Sequence, residues 1–237
     1  MVDITHGIPP QQVMRGALVL ADAVPYMPVG IHLAVVDPGV GGVRRPLALL
    51  GGDGRVYVGP DNGLLTMAAD RLGGVARAVE ITNPTVMLEA VSSTFHGRDV
   101  FAPVAAHLAN GVPLEELGPS IQPSELVRLE LPQPRVEPGR IQATILGIDR
   151  YGNVRLNVPA GDLDRADIHA GDTVEIEAAS RRCSALVART FADVSPGEPV
   201  LYEDSVGSMS LAINHGSAAR LMAALAGQAV TVTALRA

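Results

Sequence analysis

The chain has 237 residues, 47% of them hydrophobic and 18% charged, with 25 glycines and 18 prolines. That length allows one large domain or two small ones, and the composition is that of a folded, turn-rich protein without a disorder signature. Acidic residues outnumber basic ones 25 to 18, every basic residue is arginine, and the net charge is -7. Schiff-base and P-loop lysine chemistry are therefore excluded, and a phosphate-tracking nucleic-acid surface is disfavoured. A single cysteine can form neither an internal disulfide nor a thiolate zinc cluster, and the scarcity of aromatics leaves few stacking platforms for bases. With neither a signal peptide nor a membrane-length apolar run in view, a cytoplasmic location is the expectation.

The first predicted element is a helix from Gln11 to Val24, where Val13, Ala17, Leu20 and Val24 recur at helical spacing. A strand follows from Ile31 to Val36, a nearly continuous apolar run of the kind buried on both faces, ending in Asp37-Pro38-Gly39-Val40-Gly41-Gly42. A short strand at Val56 to Gly59 leads through Asp61-Asn62-Gly63 into a helical segment reaching Leu72, and Ala78 to Ile81 is a further strand. Strands alternating with helices predict an α/β N-terminal domain with a mostly parallel sheet. Between Gly111 and Arg140 prolines are frequent, which marks a seam. Beyond it, strands at Ile141–Ile148, Asn153–Val158, Thr173–Ala178, Cys183–Thr190 and Pro199–Tyr202 alternate with short turns. A helix at Ser217–Leu225 and a strand at Ala229–Leu235 close the chain. The second half thus reads as a smaller antiparallel β-barrel domain. The expected division is residues 1–117, a proline-rich linker at 118–139, and residues 140–237.

Polar, Gly-rich clusters after parallel strands are where open α/β sheets place ligands. Three stand out: Asp3 to Pro10, Asp37 to Arg45, and Ser92 to Asp99 ahead of a helix running to about Leu108. In Ser93-Thr94-Phe95-His96-Gly97-Arg98-Asp99, the plain reading makes Asp99 a helix-terminal acid, Arg98 a surface residue and His96 a satisfied loop histidine. The Asp37 loop is equally compatible with a tight turn capped by its carboxylate. If the loops converge, however, an Asp, a His and an Arg could hold a water molecule between carboxylate and imidazole, with the guanidinium setting geometry and charge. Asp3, His6, Asp37, His96 and Asp99 supply donor types for a metal, but no recognised ligand spacing accompanies them, and no metal is expected. His107 lies within an apolar helix and carries no role, and Cys183 in an alternating strand reads as core. In the second half, Asp149-Arg150-Tyr151-Gly152-Asn153 combines an acid, an aromatic face and an amide about a turn, which a β-turn alone also explains. Ser205-Val206-Gly207-Ser208 and Asn214-His215-Gly216-Ser217 could present backbone groups to a flat heterocycle, or simply link a strand to a helix cap at Ser217.

Five segments taken together carry a resemblance. They are Val2-Asp3-Ile4-Thr5-His6-Gly7-Ile8-Pro9-Pro10, Val35-Val36-Asp37-Pro38-Gly39-Val40-Gly41, Val58-Gly59-Pro60-Asp61-Asn62-Gly63, the Ser93–Asp99 run and the Asp149–Asn153 turn. In this order they resemble the S-adenosylmethionine (SAM) hydrolase family, also called SAM hydroxide adenosyltransferases, which is related to SAM-dependent fluorinases and chlorinases. The resemblance spans almost the whole chain. It implies an α/β domain followed by a β-barrel, and a homotrimer with active sites at subunit interfaces. The implied reaction is SAM plus water to adenosine and L-methionine, with no cofactor beyond the substrate and no nucleic-acid or membrane partner.

By the same resemblance, the hydrolase-specific Asp-Arg-His set falls on Asp37, Arg44 and His96, which favours water over halide as nucleophile. Phe95 would wall the SAM pocket. Asp149 and Asn153 would hold the methionine ammonium and carboxylate region, with Tyr151 beside the adenine or sugar face. Ser205 would contact the methionine end, and Asn214 with His215 would present backbone to the adenine edge. Val206 stands where halogenases carry an arginine. Family members usually begin further upstream, with a strand and a Thr-Asp-Phe-Gly-type loop whose Asp grips both ribose hydroxyls. This chain starts at Met1 directly before the Val-Asp-Ile-Thr-His motif, so its N-terminal domain is expected to be truncated relative to the family. The alternatives to hydrolysis are a non-catalytic SAM- or adenosine-binding protein and a SAM-dependent halogenase.

Overall fold

The computed structural model describes residues 1–235; Arg236 and Ala237, the last two positions of the expected C-terminal domain, lie outside the described residues. The chain divides into two compact units, with the division between Glu130 and Leu131.

The first unit is built on a five-stranded sheet of order β1-β3-β2-β4-β5. Its strands are β1 (Ile31–Leu33), β2 (Pro46–Gly51), β3 (Val56–Pro60), β4 (Val75–Glu80) and β5 (Ser120–Ile121). Side chains of β2 and β3 alternate between two cores. Leu47, Leu49 and Tyr57 pack with helices α1 (Val13–Ala23) and α2 (Leu64–Arg71). Ala48 and Val58 pack on the opposite side with Phe101 and Val104, from a π-helical turn (Gly97–Phe101) and helix α3 (Ala102–Ala109). Helices therefore cover both sheet faces.

The expectation of a mostly parallel sheet is overturned. Only β1 and β3 pair in parallel, while β2–β3, β2–β4 and β4–β5 are antiparallel. Double-sided burial gives strands the continuous apolar texture that usually signals a parallel sheet, but helices on both faces impose it on antiparallel strands as well. The unrecognised strand β2 is what changes the topology. It turns back through Gly52-Asp53-Gly54 to form a hairpin with β3, and Gly54 there adopts φ +88°. The strand expected at Ile31–Val36 is also shorter. It stops at Leu33, and Leu33 and Val35 are exposed on the wall of an open cavity.

The second unit carries eight strands: β6 (Arg135–Glu137), β7 (Arg140–Ile148), β8 (Val154–Pro159), β9 (Thr173–Ala178), β10 (Arg181–Val187), β11 (Pro199–Glu203), β12 (Ser208–Ile213) and β13 (Ala229–Ala234). Their order is β13-β9-β10-β11-β12-β8-β7-β6, and pairing of β13 with β7 closes the ring. The C-terminal sheet is thus the larger of the two, which corrects the expectation of a smaller barrel. All its pairings are antiparallel except β10–β11. Closure leaves few exposed edges and gathers Ile141, Ile145, Val174, Ile176 and Leu211 into one interior. Two short helices, α4 (Gly161–Arg165) and α5 (Ala218–Met222), pack against the barrel through Leu163 and Met222. The proline-rich stretch gives each unit one short edge strand, β5 to the first sheet and β6 to the second.

Candidate functional site

The loop between β1 and β2 carries Asp37 at its start and Arg44 near its end. The two fold back on one another: Arg44 Nε donates to Asp37 Oδ1 and Oδ2 at 3.0 Å each. Arg44 Nη2 makes a further close contact with Oδ2. This is a two-pronged guanidinium–carboxylate pair, and it is almost dry, with the side chains 10% and 6% exposed. The Arg44 guanidinium also lies 5.2 Å from the ring centroid of buried Phe101, within cation–π range.

His96 completes the cluster from the other loop, its Nδ1 2.9 Å from Arg44 Nη2. A guanidinium keeps its protons at any ordinary pH, so Nδ1 must accept, which assigns the neutral ring's proton to Nε2. His96 immediately precedes the π-helical turn and is anchored by it. Buried Asp99 accepts from the Ser92 amide at 2.8 Å and from Arg98 Nε at 2.5 Å. The hydrogen bond from Arg98, then that from the Ser92 amide, holds the Asp99 carboxyl below its ordinary range. Asp99 is therefore a loop anchor.

What lets the two loops meet is Gly41. Its φ is +73°, and a Cβ there would overlap the Ser93 carbonyl oxygen. Asp3 and His6 face each other at 3.6 Å on an exposed segment. Among the described residues no group of three or more His, Cys, Asp or Glu is placed to hold a metal ion.

A cavity of about 670 Å³ opens beside Asp37. Ile4, Ile8, Leu20, Leu33 and Val36 give it apolar walls, and Thr5 and His6 add polar groups. This is the size and character of a small-molecule pocket. Phe95 is 57% exposed beside His96, with the Arg98 guanidinium 4.8 Å from its ring centroid.

In the second unit the Asp149–Asn153 turn is self-bonded. Asp149 Oδ1 accepts the amides of Tyr151 and Asn153 at 2.8 and 2.9 Å, and Oδ2 accepts Asn153 Nδ2 at 2.8 Å. Gly152, with φ +87°, allows the turn to touch Ser217, and its carbonyl accepts the Ala219 amide at 2.9 Å. Between the turn and His215-Gly216-Ser217 lies a cavity of about 510 Å³, bordered by Asp149, Tyr151 and His215. Arg150 covers the Tyr151 ring, its guanidinium 4.9 Å from the centroid. Asn214 points its amide at the Val194 carbonyl, 2.8 Å away, and does not border this cavity. Ser205 sits exposed in the turn between β11 and β12, also off the cavity. Burial pushes the Cys183 thiol up to about 11, as for a packed core cysteine.

In the sequence, Asp37 and His96 are linked only by sheet logic and by the family resemblance, and Asp61, Asn62 and Phe101 carry no assigned role. The Gly-Pro-Asp-Asn-Gly run was the available signal for the first two.

An imidazole oriented by a dry carboxylate–guanidinium pair, whose Asp37 borders a cavity of ligand size although Arg44 and His96 do not, is the equipment of an enzyme acting on a small molecule. The chain belongs to the SAM hydroxide adenosyltransferase family: residues 1–118 match its N-terminal domain and residues 143–231 its C-terminal domain. It is 49% identical to an (R)-S-adenosyl-L-methionine hydrolase of Salinispora tropica, over 99% of this chain and 86% of that protein. A fluorinase of Actinopolyspora mzabensis is 31% identical over 98% of this chain and 87% of its own length. In three dimensions the chain is similar to the crystal structure of an uncharacterized conserved protein from Thermotoga maritima. That match has a TM-score of 0.89 and 34% identity, covering 98% of this chain and 88% of that one.

Proposed function

We propose that this protein hydrolyses S-adenosyl-L-methionine to adenosine and L-methionine, with Asp37, Arg44 and His96 as the catalytic residues. The observation that carries the reading is the continuous Asp37–Arg44–His96 hydrogen-bonded chain in a sequence 49% identical to a curated hydrolase. In the reaction a water oxygen bonds to the ribose C5′ while the C5′–S bond breaks and its electron pair returns to sulfur. The sulfonium becomes the neutral thioether of methionine, and the surplus proton of the attacking water passes to solvent. Since the leaving group is cationic at the outset, the protein's task is to orient the nucleophile and keep competing solvent out. The Nε2–H of His96 donates to the attacking oxygen, which suits the hydroxide character that develops there. Asp37 acts through Arg44, and the pair keeps the ring in that tautomer.

Substrate binding is assigned to Phe95 in the first unit and to Asp149, Tyr151, Asn153, Ser205, Asn214 and His215 in the second. The self-bonded Asp149–Asn153 turn and its cavity support the assignment for Asp149, Tyr151 and His215. For Asn214, whose side chain is committed to Val194, the role is through backbone. The active assembly is a homotrimer with its active sites at subunit interfaces. Exposed apolar residues next to the catalytic pair, Val43 beside Arg44 and Phe95 beside His96, support a covering neighbour. A cytoplasmic setting accords with a single cysteine and no internal disulfide.

The test is turnover of SAM in ¹⁸O-labelled water with mass analysis of products. Label in the adenosine 5′-hydroxyl is the expected result. Bound SAM without products would overturn hydrolysis in favour of a binding protein, and a halide-dependent 5′-halo product would overturn it in favour of a halogenase.

A further inference from the structure

Asp37 and Arg44 lie on a loop whose tip is exposed from Gly41 to Val43, yet the pair itself is nearly dry and sharply aligned. Something must hold the loop at its two ends, and one turn does both. Asn62 Nδ2 donates to the carbonyl of Val36, the residue before Asp37, at 2.8 Å. The Asp61 amide donates to the carbonyl of Arg45, the residue after Arg44, at 2.9 Å. The Asp61 carboxylate, 3% exposed, then fixes the Arg45 side chain, with Oδ2 accepting from Nε at 2.8 Å and from Nη2 at 2.6 Å. Its other oxygen accepts the Val127 amide at 2.9 Å, and Arg45 Nη2 reaches the Glu125 carbonyl at 2.7 Å, which ties the assembly to a second segment. The turn sits between the end of β3 and the start of α2, where Asn62 Oδ1 accepts the Leu64 amide, the first of the helix, at 3.2 Å.

We infer that the Asp61-Asn62 turn is a positioning clamp, setting the Asp37–Arg44 pair, and through Arg44 the tautomer of His96, from both ends of its loop. The inference rests on the hydrolase reading for its kinetic consequence and on geometry alone for its structural one. Asn62 performs two tasks with two atoms, Oδ1 accepting the first amide of α2 and Nδ2 holding Val36, so one substitution separates them. Asn62→Asp keeps the accepting oxygen and loses the donor.

If the clamp positions catalysis, Asn62→Asp lowers kcat roughly 10- to 100-fold, the scale expected for a misplacement near 1 Å, with KM altered less than about threefold. Its melting temperature stays near that of the parent. Asn62→Ala shows the same kcat loss together with a lower melting temperature. The Arg44 Nε–H resonance in ¹⁵N-arginine NMR, which needs no turnover, exchanges with solvent faster in both variants. Parental kcat in Asn62→Asp overturns the clamp. So does a kcat loss without faster Arg44 exchange, because Asn62 would then act on substrate rather than on the loop. If the parent releases no adenosine, the hydrolase reading fails, and the Arg44 resonance by itself decides whether the clamp exists.

Discussion

Gly41→Ala tests how the loops of Arg44 and His96 are brought together. At this position φ is +73°, a left-handed conformation that costs an alanine about 1–2 kcal/mol. The added Cβ would also fall roughly 1 Å short of van der Waals separation from the Ser93 carbonyl oxygen. That oxygen is backbone and cannot rotate away, so the loops must part. Ser93 lies three residues before His96, and the 2.9 Å contact between His96 Nδ1 and Arg44 Nη2 has no slack for a shift of that size. We expect kcat to fall about 100-fold. Gly111→Ala is the control, because Gly111 also has positive φ, +91°, but open space around a Cβ. It should show the conformational cost as a lower urea midpoint, with kcat unchanged. Adenosine release measured under saturating SAM, beside urea unfolding of both variants, separates the two contributions. If Gly41→Ala kept kcat within twofold of the parent, the account of loop convergence at Gly41 and Ser93 would be wrong.

Asp37→Ala strands a nearly buried guanidinium, and breaking such a pair costs about 3–5 kcal/mol, readable as a lower urea midpoint together with lost turnover. The double variant Asp37→Leu with Arg44→Leu should regain most of that stability and none of the activity; recovered turnover would remove both side chains from the chemistry. Gly152→Ala forces the Asp149–Asn153 turn off Ser217, where a Cβ has no room, so calorimetry should show weaker SAM binding. Unchanged affinity would take that turn out of the substrate site. The carboxyl of Asp99 is held below its ordinary value of 3.8. A depressed folded-state pKa contributes stability that is complete above the ordinary value and is lost as pH falls through the folded one. The stability difference between the parent and Asp99→Asn should accordingly shrink between about pH 5 and pH 2, and a difference that grew with acid would contradict the assigned anchor.

Much of this protein is legible in one dimension. Helical spacing located α1 to within a few residues, and the Thr173–Ala178 strand coincides with β9, because periodicity over a continuous segment reports which side chains face a core. The Asp37 and His96 motifs singled out two loops that the structure does bring together through Arg44, since loops can keep their residue types whatever sheet supports them. Strand direction was not legible. The apolar texture of β3 records burial on two faces, and only the hairpin partner β2 shows that most of the sheet runs antiparallel. Nor could spacing reveal that Arg44 closes on Asp37 and reaches His96, or that Asp61 and Asn62 grip the ends of their loop. Those contacts join residues far apart along the chain, and their geometry is set by where the sheet delivers each loop. Composition and periodicity are local properties of the sequence; the tautomer of His96 and the dryness of its ion pair belong to the packed whole.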